Sequence, residues 1–176
     1  KGLEKSKGVY VAIYNVDFYD NKLLDLAKID LYGKDFIIGS KMAPWSKDFR
    51  PFTRRIISFL YNLFLKILYG FSGSDTHGIK ILRSEVIKKV LPLCITDTGI
   101  FDTEFVIKTQ KLGFKIADFP VTVREIRPPR FKSRILNTPK DIWQLHKSLT
   151  VPLDDKNLFY NTVADEWEKF INVKET

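Results

Sequence analysis

Carboxylates and cations recur along this chain in an order that suits phosphate chemistry. The carboxylates are Asp17, Asp75, Asp102 and Glu104; the cations are Lys41, Arg54, Arg55, Lys80, Arg83, Arg130 and Lys132. Phosphoryl oxygens are best held by the planar fork of arginine or the point charge of lysine. A carboxylate holds a hard cation, or takes a proton from an attacking hydroxyl. Asn15-Val16-Asp17 ends an apolar run. A hard cation accepts an amide oxygen beside a carboxylate, yet in isolation the same triplet is a strand-end turn. Phe101-Asp102-Thr103-Glu104 offers two carboxylates for general-base work, and N-capping of a helix accounts for Asp102 equally well. The Arg54-Arg55 pair and the basic stretch of Arg124, Arg127, Arg130, Lys132 and Arg134 are either phosphate or headgroup contacts or plain solvated surface. Asp75 is as well placed to orient a loop as to do chemistry. Gly78 answers to close packing or to an unusual dihedral.

These residues need elements to hold them. Val9 to Tyr14 is an almost wholly apolar run, which fits a strand covered on both faces. Leu23 to Ile29 has helical spacing with Gly33 as its stop, and Asp35 to Gly39 is a second buried strand. Strand, helix, strand predicts a βαβ unit whose two strands are parallel neighbours. Met42 to Pro51 reads as loop. Phe52 to Phe71 is the longest periodic segment. Ile56, Leu60, Leu63, Phe64, Ile67 and Phe71 share one helical face, and Arg55, Ser58, Asn62, Lys66 and Tyr69 the opposite stripe. Asn62 and Lys66 interrupt its apolar run, which is shorter than the roughly 20 residues that cross a bilayer. The apolar face therefore covers either the sheet or a membrane surface. Gly78 to Arg83 reads as a strand. Ser84 can cap a helix ending near Pro92, and Asp102 or Thr103 a helix ending at Gly113. Ile116 to Glu125 is a strand whose Pro120 marks an edge or a bulge. Asp141 to Leu149 is a short helix.

Composition sets the bounds. The chain has 176 residues, 44% of them hydrophobic, and a net charge of +8. It is long enough for a packed core, and its basic surface suits anionic partners. A single cysteine, Cys94, excludes an intrachain disulfide and reads as an inert thiol among Leu91, Leu93 and Ile95. No helix-turn-helix, zinc or RNP pattern supports a nucleic-acid partner.

From Ser74 onward the chain carries Asp75-Thr76-His77-Gly78-Ile79-Lys80-Ile81-Leu82-Arg83, then Phe101-Asp102-Thr103-Glu104, then Gly113-Phe114-Lys115-Ile116 and Pro120-Val121. This order resembles the second half of a family 2 glycosyltransferase domain of the polyprenyl-phosphate (dolichyl-phosphate) mannosyl- or glucosyltransferase kind. There D-T-x-x-G-F-K-x-x-R is followed by F-x-x-E, a helix, G-[FY]-[KR]-I and a P-V strand. Ile79 stands where the family usually has Phe. Arg54-Arg55-x-x-Ser58 is similar to the family's R-[RK]-x-x-S, Gly39-Ser40-Lys41 to its G-S-R, and Asn15-Val16-Asp17 to its D-x-D with asparagine in the first place.

The resemblance implies a partial GT-A-type α/β fold: a mostly parallel sheet, flanking helices and an amphipathic helix facing the membrane. It implies Mg²⁺ or Mn²⁺ at Asp17 with Asn15, and Asp17, Asp102 and Glu104 as catalytic candidates. It places Lys41, Arg54, Arg55, Asp75, Lys80, Arg83, Arg130 and Lys132 on phosphate or acceptor. The implied partners are a nucleotide sugar, a polyprenyl or dolichyl phosphate or another lipid-linked acceptor, and an anionic membrane surface on the cytoplasmic side. An anionic phosphate acceptor needs no base, which leaves Asp102 and Glu104 an acceptor-side or structural role. Residues 1–134 would form the C-terminal half of the transferase domain and 135–176 a helical tail. In that tail Tyr160-Asn161-Thr162-Val163-Ala164-Asp165-Glu166-Trp167 resembles the opening of a class I methyltransferase domain, with a plain amphipathic end helix as the alternative. The family's opening strand and its Pro-x-Tyr-Asn-Glu stretch have no counterpart, so the chain is expected to be part of a longer enzyme. Its rival is a non-catalytic membrane-associated module that keeps the fold, which Asn15 favours.

Overall fold

The computed structural model describes residues 2–14, 21–96, 99–124 and 131–150, with backbone alone for residues 27 and 131–138. Asn15, Asp17, Arg127, Arg130 and the methyltransferase-like tail lie outside the described residues, as do the side chains of Lys132 and Arg134.

The elements run β1 (Tyr10–Ile13), α1 (Lys22–Lys28), β2 (Phe36–Ser40), β3 (Lys47–Asp48), α2 (Phe52–Tyr69), β4 (Ile79–Arg83), α3 (Ser84–Val90), α4 (Phe101–Lys111), β5 (Ile116–Pro120), β6 (Thr122–Val123) and α5 (Phe131–Thr150). The fold is α/β, and the main sheet has the order β1-β4-β2-β5. The mostly parallel sheet expected from the sequence is not what forms. β1 and β2 run in the same direction but are not neighbours, because β4 lies between them and pairs antiparallel with both. Only β2 and β5 pair in parallel within that sheet. The reason is burial. β4 is buried at all of its residues but the last and takes a central place in the sheet, so β1 is left half-buried at an edge. An apolar run signals burial on two faces and says nothing about the direction of its neighbours.

Alternation along the strands divides the core. Phe36, Ile38 and Leu82 face a cluster with Leu65, Val86, Phe105, Val106, Leu145 and Leu149 from the helices. Ile37, Ile79 and Ile81 face Leu23, Leu26 and Leu31 on the other side. Lys80 shares the face of Leu82, and that parity aims it at α4. Pro120 closes β5 at the end of the sheet order, and Thr122 and Val123 then pair with β3 in a small second sheet. Gly78 is needed for close approach: a Cβ there would sit 2.0 Å from the Gly39 carbonyl oxygen. Gly113 has φ +81°, and the Phe114 N–H reaches back to the Thr109 carbonyl, ending α4.

Two expected helix caps do not form. Ser84 is the first residue of α3, with its backbone N–H donated to the Val9 carbonyl at 2.8 Å. α4 starts at Phe101 after Ile100, so Asp102 lies inside the first turn and makes no side-chain cap. The C-terminal helix begins ten residues earlier than expected, at Phe131 instead of Asp141.

The amphipathic helix α2 is present, and its polarity relative to the core is inverted. Asn62 is 4% exposed and Leu65 fully buried, with Ser58, Tyr61 and Tyr69 partly covered on the same side. Ile56, Ile57, Phe59, Leu60, Leu63, Ile67 and Leu68 are exposed. Phe71 lies past the helix end and is buried, so it does not belong to that face. Ser58, Asn62 and Tyr69 of the polar stripe turn toward the protein while Arg55 and Lys66 stay exposed, and of the apolar face only Phe64 packs on the core.

Candidate functional site

Where β2 ends, Ser40 and Lys41 meet the loop before β4. Asp75 in that loop is 2% exposed, and its Oδ2 is 2.5 Å from Lys41 Nζ. The His77 N–H donates to Asp75 Oδ1 at 3.1 Å. Desolvation acts most strongly on Asp75 and pushes its pKa up. The Lys41 charge and hydrogen bond, with the His77 N–H, outweigh it and hold the carboxyl below the usual range. The ion pair therefore persists at neutral pH.

A second carboxylate lies close by. Asp118 of β5 accepts from the Ser74 N–H at 2.8 Å and the Ser74 hydroxyl at 2.5 Å, both at Oδ2. Ser40 Oγ lies 2.6 Å from Ser74 Oγ, and because Ser74 gives its proton to Asp118, Ser40 is the donor. Asp118 Oδ1 is buried with no donor. Burial, and then the neighbouring Asp75 charge, raise the Asp118 pKa against the Ser74 bonds and Lys66. Sequence reasoning missed Asp118. The available signal was a lone charge in the apolar strand Ile116-Ala117-Asp118-Phe119.

Lys80 is 2% exposed and donates to the Gly78 carbonyl and to Asp102 Oδ1, both at 2.9 Å. The expected N-cap Asp102 is thus the partner of a buried lysine. Thr103 Oγ1 lies 3.0 Å from both Tyr61 OH and Thr76 Oγ1, and Thr76 Oγ1 lies 3.0 Å from His77 Nδ1. Desolvation lowers the His77 pKa, helped by Lys41 and Lys80 and opposed by Asp75 and Asp102, so the ring is neutral at pH 7.

Glu104 does not work beside Asp102. Residues two apart on a helix face different ways. Glu104 is 0% exposed and takes the Ile95 and Thr96 N–H groups, the Thr96 and Ser148 hydroxyls and Lys108 Nζ, the last at 2.7 Å. Burial pushes its pKa up, but these donors prevail and keep it below the usual carboxylate value. It is a structural anchor with no open face for substrate. Arg83 also departs from the site. It sits at the opposite end of β4, against Asp30 at 2.5 Å, Asp35 at 3.7 Å and the Tyr10 ring.

The Lys41–Arg50 segment runs under the polar side of α2. Asn62 Nδ2 donates to the Ser58 carbonyl at 2.8 Å and to Met42 Sδ at 3.3 Å. Arg50 grips Asp48 through Nε at 2.9 Å and Nη2 at 2.8 Å, and reaches Ser58 Oγ at 3.3 Å. Desolvation raises the Asp48 pKa, but the Arg50 hydrogen bonds and charge, with the Arg55 charge behind them, bring it below its usual value. Arg54 is half-buried and Arg55 exposed at the head of α2. Lys41, Asp75, Lys80 and Asp102 thus gather around His77, Arg55 acts on Asp48, and Glu104 and Arg83 serve elsewhere. Among the described residues, no three His, Cys, Asp or Glu side chains gather to hold a metal. The expected metal position, Asp17 with Asn15, falls outside them.

No protein-family profile matches the chain. Over 94 residues it is 29% identical to an undecaprenyl-phosphate mannosyltransferase of Micrococcus luteus, a stretch that covers 52% of this chain and 39% of that protein. The chain therefore spans about two fifths of the length of the curated relative. The similarity is distant, and it points to a glycosyltransferase relationship.

Proposed function

We propose that this chain is the acceptor-side part of a glycosyltransferase that moves a hexose from a nucleotide sugar to a polyprenyl phosphate at a membrane surface. The observation that carries the reading is the Lys41–Asp75 pair at the carboxyl ends of β2 and β5, where open α/β sheets take ligands, beneath a helix with an apolar outer face. The distant mannosyltransferase similarity supports the same direction. An ammonium has three N–H donors and Asp75 takes one, so Lys41 can meet a phosphoryl oxygen without leaving its partner. Arg54 and Arg55, at the head of α2, would hold the lipid phosphate in line with the anomeric carbon. Asp17 with Asn15 offers a carboxylate and an amide oxygen, donors that suit Mg²⁺ or Mn²⁺. Such an ion would neutralise the departing diphosphate. No helix among the described residues is long and apolar enough to cross a membrane, so α2 would lie on the surface.

The test is hexose transfer from a nucleotide sugar to undecaprenyl phosphate with Mg²⁺, in a polypeptide that carries this chain with its natural flanking sequence. Lys41→Ala should cut turnover about 10²-fold and Asp17→Asn should remove its metal dependence, with circular dichroism unchanged. Full turnover in both variants defeats the proposal. A membrane-bound protein with no transfer to any polyprenyl phosphate supports the non-catalytic module that Asn15 suggests.

A further inference from the structure

Trp45 is the most exposed large hydrophobic residue described, at 92%, and its backbone lies at φ +72°. Tryptophan enters that region only under constraint, and here the constraint is visible. The Ser46 N–H bonds the Ala43 carbonyl at 3.1 Å, the Ser46 hydroxyl bonds the Ser40 carbonyl at 2.6 Å, and the Val121 N–H bonds Ser46 Oγ at 3.2 Å. The Lys47 and Phe49 N–H groups continue the tie, to the Val121 and Val123 carbonyls at 3.0 Å each. Five hydrogen bonds at Ser46, Lys47 and Phe49 thus fix the chain that follows Trp45, and the indole is displayed to solvent. Phe49 at 58% and Phe52 at 71% follow it along the chain. The Asn62–Met42 and Arg50–Ser58 contacts clamp this loop to α2, so loop and helix move as one body.

We propose that the Trp45 loop is a second bilayer contact, acting with α2, and that the two fix the angle at which Lys41 meets the lipid surface. This rests on the membrane reading of α2 given above. The occupant follows from charge. Residues 41–69 carry six cations (Lys41, Lys47, Arg50, Arg54, Arg55 and Lys66) and one acid, Asp48, and the pairs Arg50–Asp48 and Lys41–Asp75 still leave an excess of four positive charges. A second copy of the chain would bring the same charge against itself, whereas an anionic bilayer complements both the cations and the apolar side chains. Indole is suited to the headgroup level, where its ring is covered and its N–H stays wet. Four residues of chain keep Lys41 within about 14 Å of Trp45, in reach of a phosphate at that level.

The experiment uses the full chain with Trp143→Phe and Trp167→Phe, which leaves Trp45 as the one tryptophan, excited apart from the tyrosines at the red edge of the absorption band. Vesicles containing phosphatidylglycerol should shift its emission to shorter wavelength, and lipids brominated near the headgroup should quench it more than lipids brominated near the chain end. In the otherwise unaltered chain, Trp45→Ala should weaken vesicle binding roughly tenfold, the worth of one buried aromatic side chain. That side chain is exposed, so the fold does not depend on it. Vesicle binding with unchanged Trp45 emission overturns the inference and leaves α2 docking in place. No binding to any vesicle overturns both. A lipid-free dimer, seen by light scattering and dissolved by Trp45→Ala, overturns it in favour of a second copy.

Discussion

The two ends of β4 carry ion pairs of equal length and unequal meaning. At one end Lys41 and Asp75 meet at 2.5 Å with 14% and 3% of their side chains exposed; at the other Arg83 and Asp30 meet at 2.5 Å with 28% and 63% exposed. Distance does not separate these pairs, and solvent does. Water screens the outer pair and replaces either partner at little cost, while the inner pair has no such substitute. The inner end is also where covered carboxylates, a buried lysine and a neutral histidine accumulate: Asp75, Asp118, Lys80 and His77. Buried polar and charged groups gather at one end of the sheet, while the shifted groups at the other end, Tyr10, Asp30 and Arg83, lie at the surface.

The largest effect should come from the anchor beneath the inner end. Glu104→Ala leaves Lys108 buried without its counter-charge and strands the Ile95 and Thr96 N–H groups. Loss of one partner from such a set costs about 3–5 kcal/mol, much of the stability of an ordinary domain. Urea unfolding should show a large fall in midpoint, or a chain that no longer folds. Glu104→Gln should recover part of it, since the amide oxygen still accepts. A midpoint unchanged in Glu104→Ala removes the view that α4 is pinned from below.

Next in size is the direct comparison of the two pairs. Asp75→Ala should cost about 3 kcal/mol, because the Lys41 ammonium and the His77 N–H both lose their partner inside the protein. Arg83→Ala should leave the urea midpoint within experimental scatter. Equal losses in the two variants would break the distinction drawn between the ends of the sheet.

How much of this was legible in the sequence depends on what each residue pattern encodes. The strands at Val9 to Tyr14, Asp35 to Gly39 and Gly78 to Arg83 are legible because an apolar run has few ways to be buried. Their order was not, since nothing in Ile79-Lys80-Ile81-Leu82 tells β4 to insert between β1 and β2. The period of α2 shows two contrasting faces and leaves open which one turns inward. Asn62 and Tyr61 go in because the Met42 segment and Thr103 supply polar partners across the chain. Lys41, Asp75, Lys80 and Asp102 stand out in the sequence by their order in the motif, and the fold brings them into two neighbouring ion pairs. Sequence left the role of Glu104 open between acceptor-side and structural, because the five donors that converge on it come from three separated stretches of chain, which no local window displays. Asp118 stayed hidden for the same reason, with its partner Ser74 lying 44 residues away.

The smallest effect tests the inner end through pH. Asp118 has a raised pKa, caused first by burial and then by the Asp75 charge. A carboxyl whose folded pKa lies above its unfolded value binds its proton more tightly when folded. Its contribution to stability is complete below the ordinary value near 3.8 and is lost as pH rises through the raised value. At neutral pH the ionised Asp118 is therefore a liability, with Oδ1 buried and unmet. Asp118→Asn keeps the size and an acceptor for Ser74 while removing the charge. Relative to the unaltered chain it should be more stable at pH 7. The advantage should shrink as the pH is lowered toward 4, where Asp118 recovers its proton. Glu104, whose pKa is depressed, runs the other way in both chains and cancels when the two unfolding curves are subtracted, while Asp75 is relieved of a like charge in the variant and adds to the difference. A difference that is flat from pH 4 to 7, or that grows toward acid, would show that Asp118 is compensated in the folded protein by a cation. Lys66, whose charge already acts on Asp118, is the group to substitute next.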